Sequence, residues 1–293
     1  MDSSPTRFAF AALLTGATGI GFAPVLVRLS EVGPSATAFF RILFALPLLW
    51  LWLGIERAKS PSARRPVNRN DYLWLGSAGL FFTGDLAVWH WSLQFTSVAN
   101  STLLTNFAPI FVTLGARFLF AEQISRGFVL GMLLALGGAV MLVGASFNLN
   151  VRHLLGDLLA IGTALFYAGY LLAVKHLRHS FSSVTIMAWS GLVSCPALLL
   201  IAVCSGENLL PATAGGWWVL IALALISHVG GQTLIAYAFG HLPASFSSVS
   251  LLLQPVVAAA VAWLVLNEPL SFPQALGGLV VLAGIALASQ RGV

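Results

Sequence analysis

Charge is scarce in this sequence. Asp, Glu, Lys and Arg together make up only 8% of 293 residues, against about 25% in an ordinary soluble domain. So little polar material could not cover a surface facing water, which argues against a soluble globular protein. Cysteine is nearly absent as well. Cys195 and Cys204 fall nine positions apart in one expected helix, too far to bridge each other, and no disulfide framework is indicated. No HExxH segment, clustered Asp pair, Cys–His arrangement or nucleotide-binding loop occurs, so no metal, cofactor or direct ATP coupling is expected and enzyme chemistry is disfavoured. The opening MDSSPTRF has no small-residue cleavage site before the first apolar run, and that run is expected to stay as a span.

Apolar residues fill the space instead. They make up 58% of the chain, with a mean hydropathy of +0.92. Runs such as AFFRILFALPLLWLWLG and VVAAAVAWLVL approach the length needed to cross about 30 Å of hydrocarbon. Dividing the sequence at charges, Pro and Gly predicts ten helices, near 8–29, 35–54, 72–95, 98–119, 124–145, 155–175, 183–204, 217–239, 243–266 and 271–289. Links such as Thr96–Ser97 and His241–Leu242 are short, making sequence neighbours antiparallel neighbours. A pI near 9.8 suggests nucleic acid in a soluble protein. Here the cations sit at helix ends, so no nucleic-acid partner is expected.

Their distribution sets an orientation. With the N-terminus in the cytoplasm, the inner segments receive Arg7, Arg57, Lys59, Arg64, Arg65, Arg69, Arg117, Arg126, Lys175, Arg178 and Arg291. The outside keeps Arg28 and Arg152. The positive-inside rule then puts both termini in the cytoplasm, in a multi-pass protein of the cell's inner (plasma) membrane. The cationic 55–71 loop reads as an orientation-setting loop, with anionic lipid as a further contact.

The chain also repeats itself. At an offset of 146, Gly16 meets Gly162, Ser101 meets Ser247, Pro109 meets Pro255, Glu122 meets Glu268, Ser125 meets Ser271, Gly131 meets Gly277 and Gly138 meets Gly284. Residues 1–147 and 148–293 are therefore expected to be two five-helix units. Five is odd, so the second unit enters the membrane upside down, an arrangement that recurs in secondary transporters with alternating access. An internal repeat also makes a monomer sufficient.

The repeated stretch reads SLQFTSVANSTLLTNFAPIFVTLGARFLFAEQIS in the first half and AFGHLPASFSSVSLLLQPVVAAAVAWLVLNEPLS in the second. Each has a short link into a helix rich in small residues, a mid-helix Pro, and a terminal Glu followed shortly by an apolar residue and Ser. With the Arg of FFRILFALPLL, this resembles the EamA-type unit of the drug/metabolite transporter superfamily over the whole chain. The resemblance implies an all-α, ten-helix membrane fold of two inverted repeats that exports amino acids or similar metabolites, with the YddG-like amino-acid exporters as the preferred comparison. Residues 8–29 contain no Asp or Glu, so the first-helix acid of the small multidrug relatives has no counterpart.

Charges deep in a span face a cavity or a partner. Arg41 lies ~9 Å below the outer end of its helix and Asp85 ~20 Å above the inner end of the next, at 1.5 Å per residue. These depths nearly coincide, which predicts an ion pair, either a structural clamp or a gating or substrate-carboxylate site. The cavity candidates are His90 and Trp91 in the third helix; Asn100, Ser101, Thr105 and Asn106 in the fourth; Tyr167 and Tyr170 in the sixth; His228, Gln232 and Tyr237 in the eighth; and Ser247, Ser250 and Gln254 in the ninth, beside Ser245 and Ser248. The two histidines are candidates for proton relay or for bonds between helices, and either Trp of the WHW segment is equally an interfacial anchor. Pro109 and Pro255 predict bends in the fourth and ninth helices, and Pro24 one in the first. Bent polar helices at a repeat interface are where a substrate site is expected. A cavity of uncharged hydrogen-bonding groups suits an amino-acid zwitterion, with drugs, nucleosides or sugars as the alternative cargo. Nothing resembles a channel selectivity filter.

Overall fold

The computed structural model describes residues 3–60, 64–96, 98–143, 154–268 and 270–292. The expected boundary between residues 147 and 148 lies outside them, as does Arg152. The described chain is all helix and loop: α1 (Ser3–Gly21), α2 (Ala23–Arg28), α3 (Pro34–Lys59), α4 (Arg69–Phe95), α5 (Val98–Thr105), α6 (Ala108–Leu119), α7 (Arg126–Val143), α8 (Leu154–Leu177), α9 (Ser183–Cys204), α10 (Ala214–Ala222), a π-helical segment (Leu223–Gln232), α11 (Thr233–Phe239), α12 (Ala244–Ser250), α13 (Leu253–Leu266) and α14 (Phe272–Gly292).

Joined end to end where they are collinear, these make ten rods. Eight are long and apolar enough to cross a bilayer. α7 is shorter but apolar, and α4 is 27 residues long with Thr83 and Asp85 in its interior. The lipid-facing surface is apolar, as in Leu51, Phe118, Trp218 and Leu264. Most backbone groups are satisfied within the helices, as hydrocarbon demands.

Three rods are broken, and each break has a local cause. Pro24, Pro109 and Pro255 stand at the starts of α2, α6 and α13. A proline there has no N–H to give and crowds the preceding turn, so the helix stops and restarts. The breaks at Asn106–Phe107 and Leu251–Leu252 fall at nearly equivalent places in the two repeats. The eighth rod is interrupted differently, by the π segment.

The two repeats pack about a pseudo-twofold relation. α7 and α14, the last rods of each half, run against each other. A methyl added at Gly138 would sit 2.7 Å from the Gly277 carbonyl oxygen, and one at Gly277 would sit 2.8 Å from that of Gly138. Gly131 faces the Gly284 carbonyl in the same way. Each glycine thus meets the counterpart of its neighbour seven residues away, as two inverted copies must. Small residues allow this backbone approach, and packing replaces the hydrophobic effect as the force joining helices in lipid.

The turns that end the fourth and ninth rods are duplicated too. Ala121 and Asn267, 146 positions apart, are both left-handed, at φ 53° and 55°. The amides that follow, of Glu122 and Glu268, reach back to the equivalent carbonyls of Ala116 and Ala262 at 3.2 and 3.4 Å. This is a helix stop of the Schellman type, which favours glycine or asparagine at the left-handed position.

Candidate substrate site

Two charges lie in the middle of spans, Arg41 of α3 and Asp85 of α4. Arg41 projects from α3 and is 7% exposed. One of its terminal nitrogens reaches the Ser227 carbonyl at 3.5 Å, while Nε has no partner. The carbonyl belongs to the π segment, whose wider turns shift the ordinary helix bonds, a distortion often found at functional sites. Ser227 in turn donates to the Gly19 carbonyl at 3.0 Å, locking the segment to α1.

Arg41 and Asp85 act on each other electrostatically. They do not form the closed ion pair expected from their depths. Among the described residues, the ion pairs are Arg28–Glu268 and Arg64–Asp71. Equal depth did bring the two charges to one region, but the α3 and α4 side chains stop short of contact.

An aromatic row connects this pair to the helix breaks. The Arg41 guanidinium lies 6.0 Å from the Phe82 ring. Phe82 is 5.7 Å from His228 and 4.9 Å from Tyr170, and Tyr170 stacks on Tyr167 at 6.4 Å. Tyr167 borders a cavity of about 70 Å³, shared with Thr105, Asn106, Pro109, Ser248 and Gln254. The breaks in the fourth and ninth rods therefore open onto one space, beside α8.

Polar atoms in this region are buried and unmatched. His228 is 2% exposed, and neither ring nitrogen has a hydrogen-bond partner. The same holds for Gln232 Oε1, Asn106 Nδ2 and Gln254 Nε2. Each such atom costs about 1–3 kcal/mol. Asn106 and Gln254 line the cavity, while His228 and Gln232 sit on the π segment, His228 against Phe82, so the unmatched atoms lie on three rods of one polar interior.

Other expected lining residues lie elsewhere. Trp91 is 55% exposed and points away from the interior, as an interfacial tryptophan does. Tyr237 belongs to a cluster at the end of its rod, against Phe8, His241 and Arg178. Ser101 is fully buried and bonds Ser92 of α4, a contact between helices. Ser250 turns back onto the Phe246 carbonyl at 3.1 Å. Ser247 is fully buried on α12, with an unpartnered hydroxyl. The side chains of His90 and Asn100 lie outside the described residues. Phe82 and Ser227 belong to the site without having been expected there from the sequence. Phe82 does carry a signal, since it precedes Asp85 by three positions and so shares its helix face.

At the end of the fourth rod, Glu122 reaches across to the start of α12. Its carboxylate accepts from the Ala244 and Ser245 amides at 2.6 and 3.1 Å and from the Ser245 hydroxyl at 2.6 Å. α12 also packs along α6, so this end of the interior is sealed.

Two broken rods crossing at a polar interior between inverted repeats fit a known sequence family. The EamA-like transporter family matches residues 7–144 and again 154–290. The chain belongs to the EamA-like transporter family. It is a multi-pass membrane transporter. An uncharacterized transporter from Archaeoglobus fulgidus is 25% identical, covering 91% of each chain. A protein of Pseudomonas aeruginosa named a pseudopaline exporter is 27% identical, covering 86% of this chain and 85% of its own. One solved crystal structure superposes with a TM-score of 0.80 at 19% identity, over 100% of this chain and 98% of the other, which supports the fold alone.

Proposed function

We propose that this EamA-family transporter exports small zwitterionic metabolites, amino acids foremost, by alternating access between its two repeats. The observation that carries this is the separation of Arg41 and Asp85. Opposite charges share a buried region without closing on each other, among uncharged donors and acceptors. A zwitterion spans that gap, with its carboxylate on the Arg41 guanidinium and its ammonium on Asp85. Arg presents a fork of donors that matches a carboxylate. Gln232, His228, Gln254, Asn106, Tyr167 and Tyr170 are then left to bond a polar or aromatic side chain, which suits a broad substrate range. Thr105 and Ser248, which line the cavity, complete the polar faces of the two broken rods. Pro109, Pro255 and Pro24 supply the bends around which these rods move.

The first and last rods begin and end on one face, and the Lys and Arg excess there supports reading it as cytoplasmic in the inner membrane. The internal repeat supports a monomer as the working unit. The test is counterflow of a labelled amino-acid panel in proteoliposomes, with pseudopaline added because a relative is named for exporting it. Saturable exchange that Arg41→Gln abolishes supports the reading, and absence of exchange for every zwitterion defeats it.

A further inference from the structure

A second cavity, of about 210 Å³, lies where the start of α1 and the end of α14 come to one face. Phe10 of α1, Leu242 and Phe246 at and beyond the entry to α12, and Ser289 of α14 line it, with Thr6 and Arg7 beside them at the start of α1. Phe10 leans on Phe246 at 5.8 Å, and the Ser289 hydroxyl turns back to donate to the Ala286 carbonyl at 2.8 Å. The walls therefore offer carbon rather than hydrogen bonds. The space exists because the first and last rods choose different neighbours. α14 packs along α7, and α1 packs on the π segment, α11 and α13, which leaves α12 as a back wall between them.

The other repeat closes the equivalent place. At the offset of 146, Phe10 corresponds to Gly156, Leu242 to Thr96 and Phe246 to Asn100. Gly156 lies directly against the chain at Phe95 and Thr96, where an added methyl would come within 2.6 Å of the Thr96 amide nitrogen. Small residues permit such an approach between helices. With a phenylalanine ring at the glycine's position, the backbones at Phe10 and Leu242 cannot meet so closely, and a space remains. The apolar cavity is thus a feature of one junction and not of the duplicated fold.

Apolar cavities of about 150 Å³ stay dry and take up hydrocarbon, and in a membrane the hydrocarbon at hand is acyl chain. Charge sets the other end of the ligand. Lys175 and Arg178 donate to the Leu242 and Phe181 carbonyls at 2.8 and 2.6 Å. Arg7 is exposed and forms no ion pair among the described residues. It stands three positions before Phe10, one helical turn away, and a guanidinium fork matches a phosphate. We propose that this junction binds an anionic phospholipid of the leaflet nearest the termini, with an acyl chain in the cavity and the headgroup phosphate on Arg7 and the Thr6 hydroxyl. Phosphatidylcholine brings its own cation beside the phosphate. Arg7 favours a headgroup that has none, such as phosphatidylglycerol.

The test places the full chain in phosphatidylcholine nanodiscs with a small fraction of phosphatidylglycerol that carries a photoactivatable diazirine on its acyl chain. Labelled peptides are then mapped by mass spectrometry. Label should concentrate on the peptides carrying Phe10, Leu242, Phe246 and Ser289. Unlabelled phosphatidylglycerol should compete roughly fivefold better than added phosphatidylcholine, as one cation near the surface provides. Arg7→Gln should erase that preference and Arg7→Lys should keep most of it, with melting temperatures matching the wild type because Arg7 is exposed. Ser289→Trp, which fills the cavity, should remove the label from these peptides and leave the background elsewhere. Equal competition by phosphatidylcholine, or a preference that survives Arg7→Gln, overturns the headgroup assignment. Label spread evenly over the lipid-facing rods overturns the cavity as the site. Competition by free glycerol phosphate as strong as that by the lipid would mean a site for soluble anions and would overturn the proposal as well.

Discussion

Glu122 and Glu268 occupy equivalent positions in the two repeats, after equivalent left-handed turns, yet hold different partners. Glu122 grips the first turn of α12, at Ala244 and Ser245. The corresponding grip by Glu268 would fall on the amides of Val98 and Ala99 at the start of α5. Glu268 instead pairs with Arg28 on the surface. Among the described residues, α12 packs on α6 at one face, while their equivalents α5 and α13 make no comparable packing at the other. The two halves share a fold but not a conformation, an asymmetry that the alternating-access proposal calls for.

Releasing the Glu122 grip should unseal that face. Charge-assisted bonds contribute about 1.5–3 kcal/mol each, so Glu122→Gln should shift the population between states roughly tenfold or more. The measure is modification of a Ser248→Cys reporter in a cysteine-free background, using an impermeant maleimide added from the side of the termini. Ser248 is 1% exposed and should react slowly unless Glu122 is changed. Equal rates in both backgrounds would show that the grip does not govern access.

The glycine contact between α7 and α14 should be intolerant of bulk, and selectively so. Gly138→Ile pushes a branched side chain into backbone that a methyl already meets at 2.5–2.7 Å, and overpacking of this kind costs about 1–3 kcal/mol. At neighbouring Gly137, a methyl would find nothing within 4 Å, so Gly137→Ala should leave the melting temperature level or raise it. Thermal unfolding in detergent, followed by size-exclusion fluorescence, compares the two.

Ala121 sits in a left-handed conformation at φ 53°, which costs a residue with a Cβ roughly 1–2 kcal/mol. Ala121→Gly should recover about 1 kcal/mol of that, raising thermal stability without altering counterflow. Asn267 tolerates the same conformation better, so Asn267→Gly should gain less in the same melting assay.

Arg41 and Asp85 separate a clamp from a binding site. Replacing both, as Arg41→Met with Asp85→Asn, removes two buried charges that are imperfectly paired, and such exchanges are often neutral or stabilising. The double variant should melt no lower than the wild type while losing zwitterion exchange. A drop of many degrees would instead make the pair structural.

Much of this arrangement was legible in the sequence because lipid leaves few options. Ten apolar rods, their antiparallel order and the proline breaks follow from hydropathy, short links and missing amide hydrogens. The rotation of each rod about its axis did not follow. α4 is apolar on nearly every side, so nothing local told whether Trp91 would face lipid or the interior, and Tyr237 likewise depended on the partners at its rod's end. Matching depth placed Arg41 near Asp85, but whether two side chains touch depends on helix separation, which packing alone decides. The π segment has no composition of its own. Its wider turns are held by contacts from other rods, such as Ser227 to Gly19 and Arg41 to Ser227, so it could be seen only in the assembled protein.

The glycine spine of α7 and α14 has a mechanical consequence. At Gly131, Gly138 and Gly277 the nearest neighbours are backbone atoms of the facing rod, which leaves no room for the two rods to approach further. Gly131 and Gly138 lie seven residues apart, about 10 Å along the axis, so their close approaches fix the spacing of the two rods over two turns. A tilt of about 10° moves groups half a bilayer away, ~15 Å, by roughly 3 Å. That is as long as the 2.6 Å bond from Ala244 to Glu122. Under the alternating-access proposal, a rocking tilt of this size would be enough to part the bonds at one rim and close those at the other.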